Sequence, residues 1–120
     1  MIGVVSGHHA TVSIRFRLSN QPQIAVEAVI DTGFTGYLTL PPAAVTAMRL
    51  PFIRRIPANL ANDTTISIDV HEASIFWNDV LLDVEVLAMG KRPLIGTLLL
   101  DGCKLHINFV ENGSVSIATI

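Results

Sequence analysis

The residues most able to do chemistry lie in one short turn, Asp31-Thr32-Gly33. An apolar run from Ala28 to Ile30 leads into the turn, and a second apolar run leaves it through Leu38 and Leu40. Glycine at position 33 permits a sharp bend or a close backbone approach that a side chain would block. Asp31 is therefore the candidate catalytic carboxylate. The other interpretation, a residue that only caps its own turn, is common for Asp before Thr-Gly.

Other catalytic and metal-binding signatures are absent from the sequence. It has no HExxH, CxxC, GxSxG or phosphate-loop glycine run, and its single cysteine, Cys103, cannot form an internal disulfide. His8 and His9 are adjacent and project differently, so we expect an exposed, flexible pair rather than a metal site. The net charge of −2 offers no basic footprint for nucleic acid. We expect no cofactor, no metal and no nucleic-acid partner.

Length and composition favour one domain, residues 1–120. Half of the 120 residues are hydrophobic and 15% are charged, which is apolar for a chain of this size. Either a dense β core or contact with another copy of the chain would account for that surplus. No stretch reaches the roughly 20 apolar residues of a membrane span, and the features of a signal peptide are missing. We expect a cytoplasmic protein without membrane contact.

Apolar spacing predicts the elements on both sides of the turn. Alternation over 12–18 and over 24–30 predicts a hairpin that ends at Asp31. The run that leaves the turn predicts a short strand over 37–40, and Pro41-Pro42 then predicts the start of a short helix.

The rest of the chain predicts further strands and a second helix. Two strands lie between Phe52 and Trp77, with a hairpin tip at 61–64, and a third strand covers 80–86. A short helix is predicted over 97–100, and the last strands are predicted from these alternating residues: Leu105, Ile107, Phe109, Val115 and Ile117. The expected fold class is mostly β, a closed or barrel-like sheet with one or two short helices.

The chain contains one Asp-Thr-Gly, so a second catalytic carboxylate would have to come from another copy. A two-fold axis at the turn would bring Asp31 against its equivalent in a partner subunit. Two carboxyl groups at such a short distance share one proton, because they cannot both be ionised at once. One can then take a proton from water while the other polarises a peptide carbonyl. The pattern thus indicates hydrolysis of an amide without a covalent intermediate.

The sequence resembles the retropepsin-like aspartic proteases. In length it is most similar to their small single-domain prokaryotic members. The resemblance rests on Asp31-Thr32-Gly33, preceded by Ala28-Val29-Ile30 and followed roughly sixty residues later by Leu94-Ile95-Gly96. It extends from the first hairpin to Ile117, with the elements in the same order. It implies a closed β-barrel that forms a two-fold symmetric homodimer, with aspartic endopeptidase activity and no cofactor.

The resemblance also implies a role for each matched residue. Asp31 would be the catalytic acid, Thr32 would hydrogen-bond across the dimer axis, and Gly33 would let its amide approach the carboxylate. The second apolar–glycine element would pack against the Asp31 loop; it consists of Leu94, Ile95 and Gly96. The hairpin tip would be a flap that closes over an extended peptide as an added strand; it consists of Leu60, Ala61, Asn62 and Asp63.

Two features depart from the family pattern. Many relatives carry Ala, Ser or Thr directly after Asp-Thr-Gly, where a hydroxyl can donate to the carboxylate. This chain has Phe34 at that position, and Thr35 is the next hydroxyl in the turn. The tip around Asn62 lacks the glycines of viral members, and an ordinary exposed hairpin tip is its other interpretation.

Two other functions compete with the protease. A catalytically inactive dimer of the same fold would bind an extended peptide or protein partner without cleaving it. A phosphate-binding turn of the sugar-kinase and actin type would need two large domains, more than 120 residues can supply. For the protease itself, a symmetric site predicts loose selectivity for apolar residues near the scissile bond.

Overall fold

The computed structural model describes residues 1–59 and 61–120, which form ten strands and two short helices. The class is mostly β, as predicted. In chain order the elements are β1 (Ile2–Ser6), β2 (His9–Arg17), β3 (Ile24–Ile30), β4 (Leu38–Leu40), α1 (Pro42–Ala47), β5 (Phe52–Asn59), β6 (Thr65–Trp77), β7 (Val80–Ala88), β8 (Leu94–Ile95), α2 (Thr97–Leu100), β9 (Cys103–Ile107) and β10 (Ser114–Thr119).

The strands belong to one sheet in the order β5-β6-β7-β4-β8-β3-β2-β1-β10-β9. Strand β2 also pairs with β6, through Phe16 and Ile75 among others, so the sheet curves back until two strands far apart in this order meet. The strand alternation seen in the sequence decides what is enclosed. In β2, for example, Ile14 and Phe16 are buried while Ser13 and Arg15 are exposed.

The short helices agree with their sequence signals. Helix α1 has Pro42 in its first turn, and it directs Val45 and Met48 into the core, where they are 3% and 6% exposed. Helix α2 covers Thr97–Leu100, as predicted, and buries Leu99. Helices this short gain their stability from tertiary packing rather than from helix propensity.

One strand prediction is wrong at Phe109, and one observed strand was not predicted. Strand β1 was not foreseen, and it pairs with both β2 and β10. Phe109, predicted to continue β9, lies beyond it and is 64% exposed. The chain turns at Asn108 because the Val110 amide donates to the Asn108 carbonyl over 2.9 Å. Gly113 closes this turn, where a Cβ would overlap the Asn108 carbonyl.

The adjacent histidines lie at the start of the sheet. His8 is in the β1–β2 turn with φ +67°, and His9 is the first residue of β2. Both side chains are exposed, as expected. His9 nevertheless belongs to a strand, since its backbone pairs with Ser6.

Candidate functional site

Asp31 lies at the end of β3, and strand β8 holds its backbone. The two strands are parallel, with Val29 opposite Leu94 and Ile30 opposite Ile95. The Asp31 amide donates to the Ile95 carbonyl over 2.9 Å, one step beyond the last paired residue of β3. The main chain at Asp31 is therefore fixed by the sheet, although its side chain is only half-buried.

The loop that follows Asp31 is tied to the start of α2 by main-chain hydrogen bonds. The Gly96 amide donates to Tyr37 O over 2.9 Å, and the Thr97 amide donates to Phe34 O over 2.8 Å. A third bond joins the Leu98 amide to Gly36 O over 3.2 Å. The structure thus brings the element Leu94–Gly96 against the loop that starts at Asp31.

One oxygen of the Asp31 carboxylate has a main-chain donor. The Gly33 amide donates to Asp31 Oδ1 over 2.9 Å. A Cβ at position 33 would lie 3.2 Å from the same oxygen, a tight contact that glycine avoids. Among the described residues, Asp31 forms no ion pair. A half-exposed carboxylate with one oxygen held in this way can exchange protons with a molecule bound above it.

Phe34 occupies a niche made by two glycines. A Cβ on Gly36 would lie 2.5 Å from Phe34 Cζ, and a Cβ on Gly96 would lie 2.6 Å from Phe34 Cδ2. The aromatic ring is therefore a packing element that joins the loop to the second apolar–glycine element. The Phe34 amide donates to Asp31 O over 3.2 Å. Within the described chain, however, neither Phe34 nor the exposed Thr35 donates a hydrogen bond to the Asp31 carboxylate, whose donor is the Gly33 amide.

Thr39 is a supporting residue that the sequence analysis did not identify. It lies in β4 between Leu38 and Leu40 and is 1% exposed. Its Oγ1 accepts a hydrogen bond from the Leu94 amide over 3.2 Å. Strand β4 is antiparallel to β8, so this bond fixes β8 from the side opposite β3. The sequence feature that could have identified Thr39 is a hydroxyl side chain within an otherwise apolar run.

The predicted hairpin tip lies between β5 and β6, whose last paired residues are Asn59 and Thr65. Asn62 Oδ1 accepts from the Thr64 amide over 3.1 Å, and Asp63 has φ +63°. These are the local bonds and left-handed backbone expected of Asn and Asp in a turn. Ala61, Asn62 and Asp63 are exposed, and Leu60 lies outside the described residues.

The base of this hairpin carries two surface ion pairs. Arg54 binds Glu85 on β7 in a bidentate pair, with both N–O distances 2.7 Å. Arg55 binds Asp69 over 2.7 Å. The hydrogen bond from Arg54 holds the pKa of Glu85 below its usual value of 4.5. The first pair joins β5 to β7 across β6.

Two kinds of feature are absent from the part of the chain that the structure describes. They contain no group of three or more His, Cys, Asp or Glu side chains that could hold a metal ion. None of the described helices has the length and apolar character needed to cross a membrane.

Solved structures that resemble this architecture include one that matches over the whole length of the chain. It is the crystal structure of a retropepsin-like aspartic protease from Rickettsia conorii, which superposes with a TM-score of 0.56. The match covers 100% of this chain and 91% of that protein at 11% sequence identity. No protein-family model and no curated protein matches the sequence. The chain therefore resembles a retropepsin-like aspartic protease in fold, and at this identity the likeness speaks for the fold alone.

Proposed function

We propose that this protein is an aspartic endopeptidase whose active site contains two Asp31 residues, one from each subunit of a homodimer. The observation that carries the proposal is the anchoring of Asp31. Its amide is bonded to Ile95, and its carboxylate is bonded to the Gly33 amide. A catalytic acid needs this kind of preorganised support.

The surface around the loop supports the pairing of two chains. Thr32, Gly33 and Thr35 are exposed, so they can approach an equivalent loop. Beside them, Leu98 is 50% exposed and Tyr37 is 36% exposed. Apolar side chains left uncovered next to a functional loop are typical of an interface. A two-fold axis at this loop places the two carboxyls together.

The mechanism follows from the proximity of two carboxyls. They share one proton, because two adjacent negative charges are unfavourable. The ionised carboxylate accepts a proton from a water molecule, which attacks the peptide carbonyl. The protonated carboxyl donates a hydrogen bond to the carbonyl oxygen and stabilises the charge that develops there. The carboxyl that took the proton from water then transfers it to the amide nitrogen. The C–N bond breaks as the carbonyl reforms, the hydroxyl proton returns to the carboxyl pair, and a carboxylic acid and an amine leave as the two products.

The remaining structural assignments belong to the same proposal. The pairing of β2 with β6 supports a single closed β-barrel domain spanning residues 1–120. Thr32 bonds across the dimer axis. The β5–β6 hairpin tip, with Asn62 and Asp63 at its end, closes over an extended peptide substrate as a flap.

Asp31→Asn tests the proposal because it keeps the size of the side chain and removes the acid. We expect it to abolish cleavage of a peptide pool at mildly acidic pH while the sedimentation mass remains that of a dimer. Asp79→Asn is the matched control, since Asp79 is an exposed turn residue with φ +64°, a conformation that Asn tolerates. Unchanged cleavage by Asp31→Asn, or a monomeric wild type that cleaves peptides, would contradict the proposal.

A second candidate is a dimer that binds extended peptides without cleaving them. Phe34 favours it, because its ring fills the place after Asp-Thr-Gly and donates no hydrogen bond to the carboxylate. A wild-type dimer that binds peptides but cleaves none between pH 4 and 7 would establish this candidate instead.

A further inference from the structure

A groove of about 490 Å³ opens along strands β2 and β3. Most of the side chains that line it are polar. The sequence analysis predicted instead a site that selects apolar substrate residues. The residues that matter here are Ser6, His9, Thr11, Glu27, Val29 and Arg92.

The groove lies on the same face of the sheet as the Asp31 side chain. The Val29 amide donates to Pro93 O over 3.0 Å, and the Asp31 amide donates to Ile95 O over 2.9 Å. These bonds are successive rungs of one parallel ladder, so Val29 and Asp31 project to the same side. Two residues of a strand span about 6.6 Å. Since Val29 lines the groove, the groove begins one such step from Asp31.

The register of β2 places a second wall at the same level. Thr11 is opposite Val29 in the antiparallel β2–β3 pair. Continuing this register by two residues puts His9 level with Asp31, and both His9 and Thr11 line the groove. In an extended peptide bound at Asp31, side chains two residues apart would also be about 6.6 Å apart and on the same side. One of its side chains would therefore reach this groove.

Besides His9, two exposed side chains of the groove are ionisable, and at neutral pH Arg92 is a cation and Glu27 an anion. The ion pairs of the described residues join Arg54 to Glu85 and Arg55 to Asp69, so neither charge in the groove is neutralised by such a pair. An aliphatic side chain would take water from both charges and give no hydrogen bond in return. A charged side chain would be attracted by one group and repelled by the other.

We propose that this groove selects an amide side chain, Gln or Asn, at one position beside the scissile bond. The amide oxygen accepts from Arg92 while the amide nitrogen donates to Glu27, so both charges gain a hydrogen bond and neither is opposed. The proposal rests on the proposed function, because it takes Asp31 as the place where the peptide lies. It replaces loose apolar selectivity with a polar preference at this one position.

Charge reversal in the groove tests the proposal through both cleavage and binding. Arg92→Glu gives two anions and is expected to shift the preference toward Lys and Arg. Glu27→Arg gives two cations and is expected to shift it toward Glu and Asp. Each shift is expected to be about tenfold, the size of one charge-assisted hydrogen bond gained or lost. Lys104→Glu, an exposed reversal on β9, is the matched control and is expected to change nothing.

Two readouts separate this proposal from the activity itself. A proteome-derived peptide library is digested by each protein, and the residues flanking every cut are identified by mass spectrometry. In parallel, a random peptide library is selected for binding to the same variants in an Asp31→Asn background, where no cleavage is needed. Enrichment of Gln or Asn in wild type, with opposite shifts in the two variants, is the expected result in both.

The possible outcomes differ for the two proposals. Groove-dependent binding without any cleavage would reject the protease and leave the groove proposal standing. Cleavage with aliphatic residues at every position near the bond, or a preference that neither reversal alters, would reject the groove and leave the protease standing. A protein that neither binds nor cleaves peptides would overturn both.

Discussion

The ring of Phe34 lies so close to Gly96 that a Cβ on the glycine would come within 2.6 Å of Phe34 Cδ2. This contact joins the loop after Asp31 to the element that holds the Asp31 backbone. The residue that departs most clearly from the pattern of the retropepsin-like proteases, which this chain resembles, is thus part of the packing that fixes the candidate site. Its role is steric, since a phenyl ring offers the carboxylate no hydroxyl donor.

The packing of Phe34 against Gly36 predicts that removing the Phe34 ring makes a substitution at Gly36 less destabilising. At Gly36, the three atoms nearest to an added Cβ all belong to the Phe34 ring, the closest at 2.5 Å. Gly36→Ala should therefore displace the ring and lower the free energy of unfolding by about 1–3 kcal/mol. The same substitution should cost much less in a Phe34→Ala background, because the ring is gone. Denaturant unfolding of the four proteins in this double-mutant cycle measures the coupling.

Gly96→Ala is the matched comparison, because its added Cβ would also overlap the backbone oxygen of Gly36. Removing the Phe34 ring cannot relieve a clash with the backbone. We expect Gly96→Ala to remain destabilising in both backgrounds. Equal rescue of Gly36→Ala and Gly96→Ala would contradict the geometry of the niche.

Thr39→Val should lower the free energy of unfolding, although valine and threonine have similar shapes. Valine fills nearly the same space but leaves the Leu94 amide without the Oγ1 acceptor that it has at 3.2 Å. An unsatisfied buried amide costs about 1–3 kcal/mol. Thr119→Val, at an exposed position of β10, should change the unfolding free energy by less than about 0.5 kcal/mol. Similar unfolding midpoints for Thr39→Val and wild type would show that the hydrogen bond contributes little.

Glu85 should make stability depend on acid pH. Its pKa is lowered in the folded protein, chiefly by the hydrogen bond from Arg54. The stabilisation is present above the unfolded-state pKa and is lost as the pH falls through the lowered folded-state pKa. Glu85→Gln should therefore lower the melting temperature at pH 7, by about 2 °C or less, because exposed pairs are weak. At pH 2 the difference should disappear.

The control for this pH effect is Glu72→Gln, an exposed carboxylate on the same sheet that forms no ion pair within the described chain. The difference in melting temperature between Glu72→Gln and wild type should not show the loss between pH 7 and pH 2 that is expected for Glu85→Gln. A Glu85→Gln difference that grows toward acid pH would have the wrong sign for this account.

The sequence predicted those features that depend on local patterns. Alternation located β2 and β3, prolines located α1, and Asn62 and Asp63 located the tip between β5 and β6. The fold class follows from these patterns because one buried face imposes a period of two on each strand. The placement of Leu94–Gly96 beside the Asp31 loop came from the family resemblance rather than from periodicity.

The features that were missed depend on contacts between distant parts of the chain. Strand β1 exists because Gly3 pairs with Val115, and no local pattern contains that partner. The bond from the Leu94 amide to Thr39 joins residues 55 positions apart. The groove beside Val29 and Arg92 depends on the register between β3 and β8, which periodicity within a single strand does not specify.

The central claim, two Asp31 carboxyls in one site, is tested most directly by mixing wild-type and Asp31→Asn chains at a fixed total concentration. Subunits are exchanged by unfolding and refolding the mixture together, and cleavage of one peptide is measured against the wild-type fraction. The account predicts that activity follows the square of this fraction. An equal mixture should retain about one quarter of the activity, because only that share of dimers carries two Asp31 residues. A linear fall, with about one half retained, would show that each chain acts alone and would contradict the account.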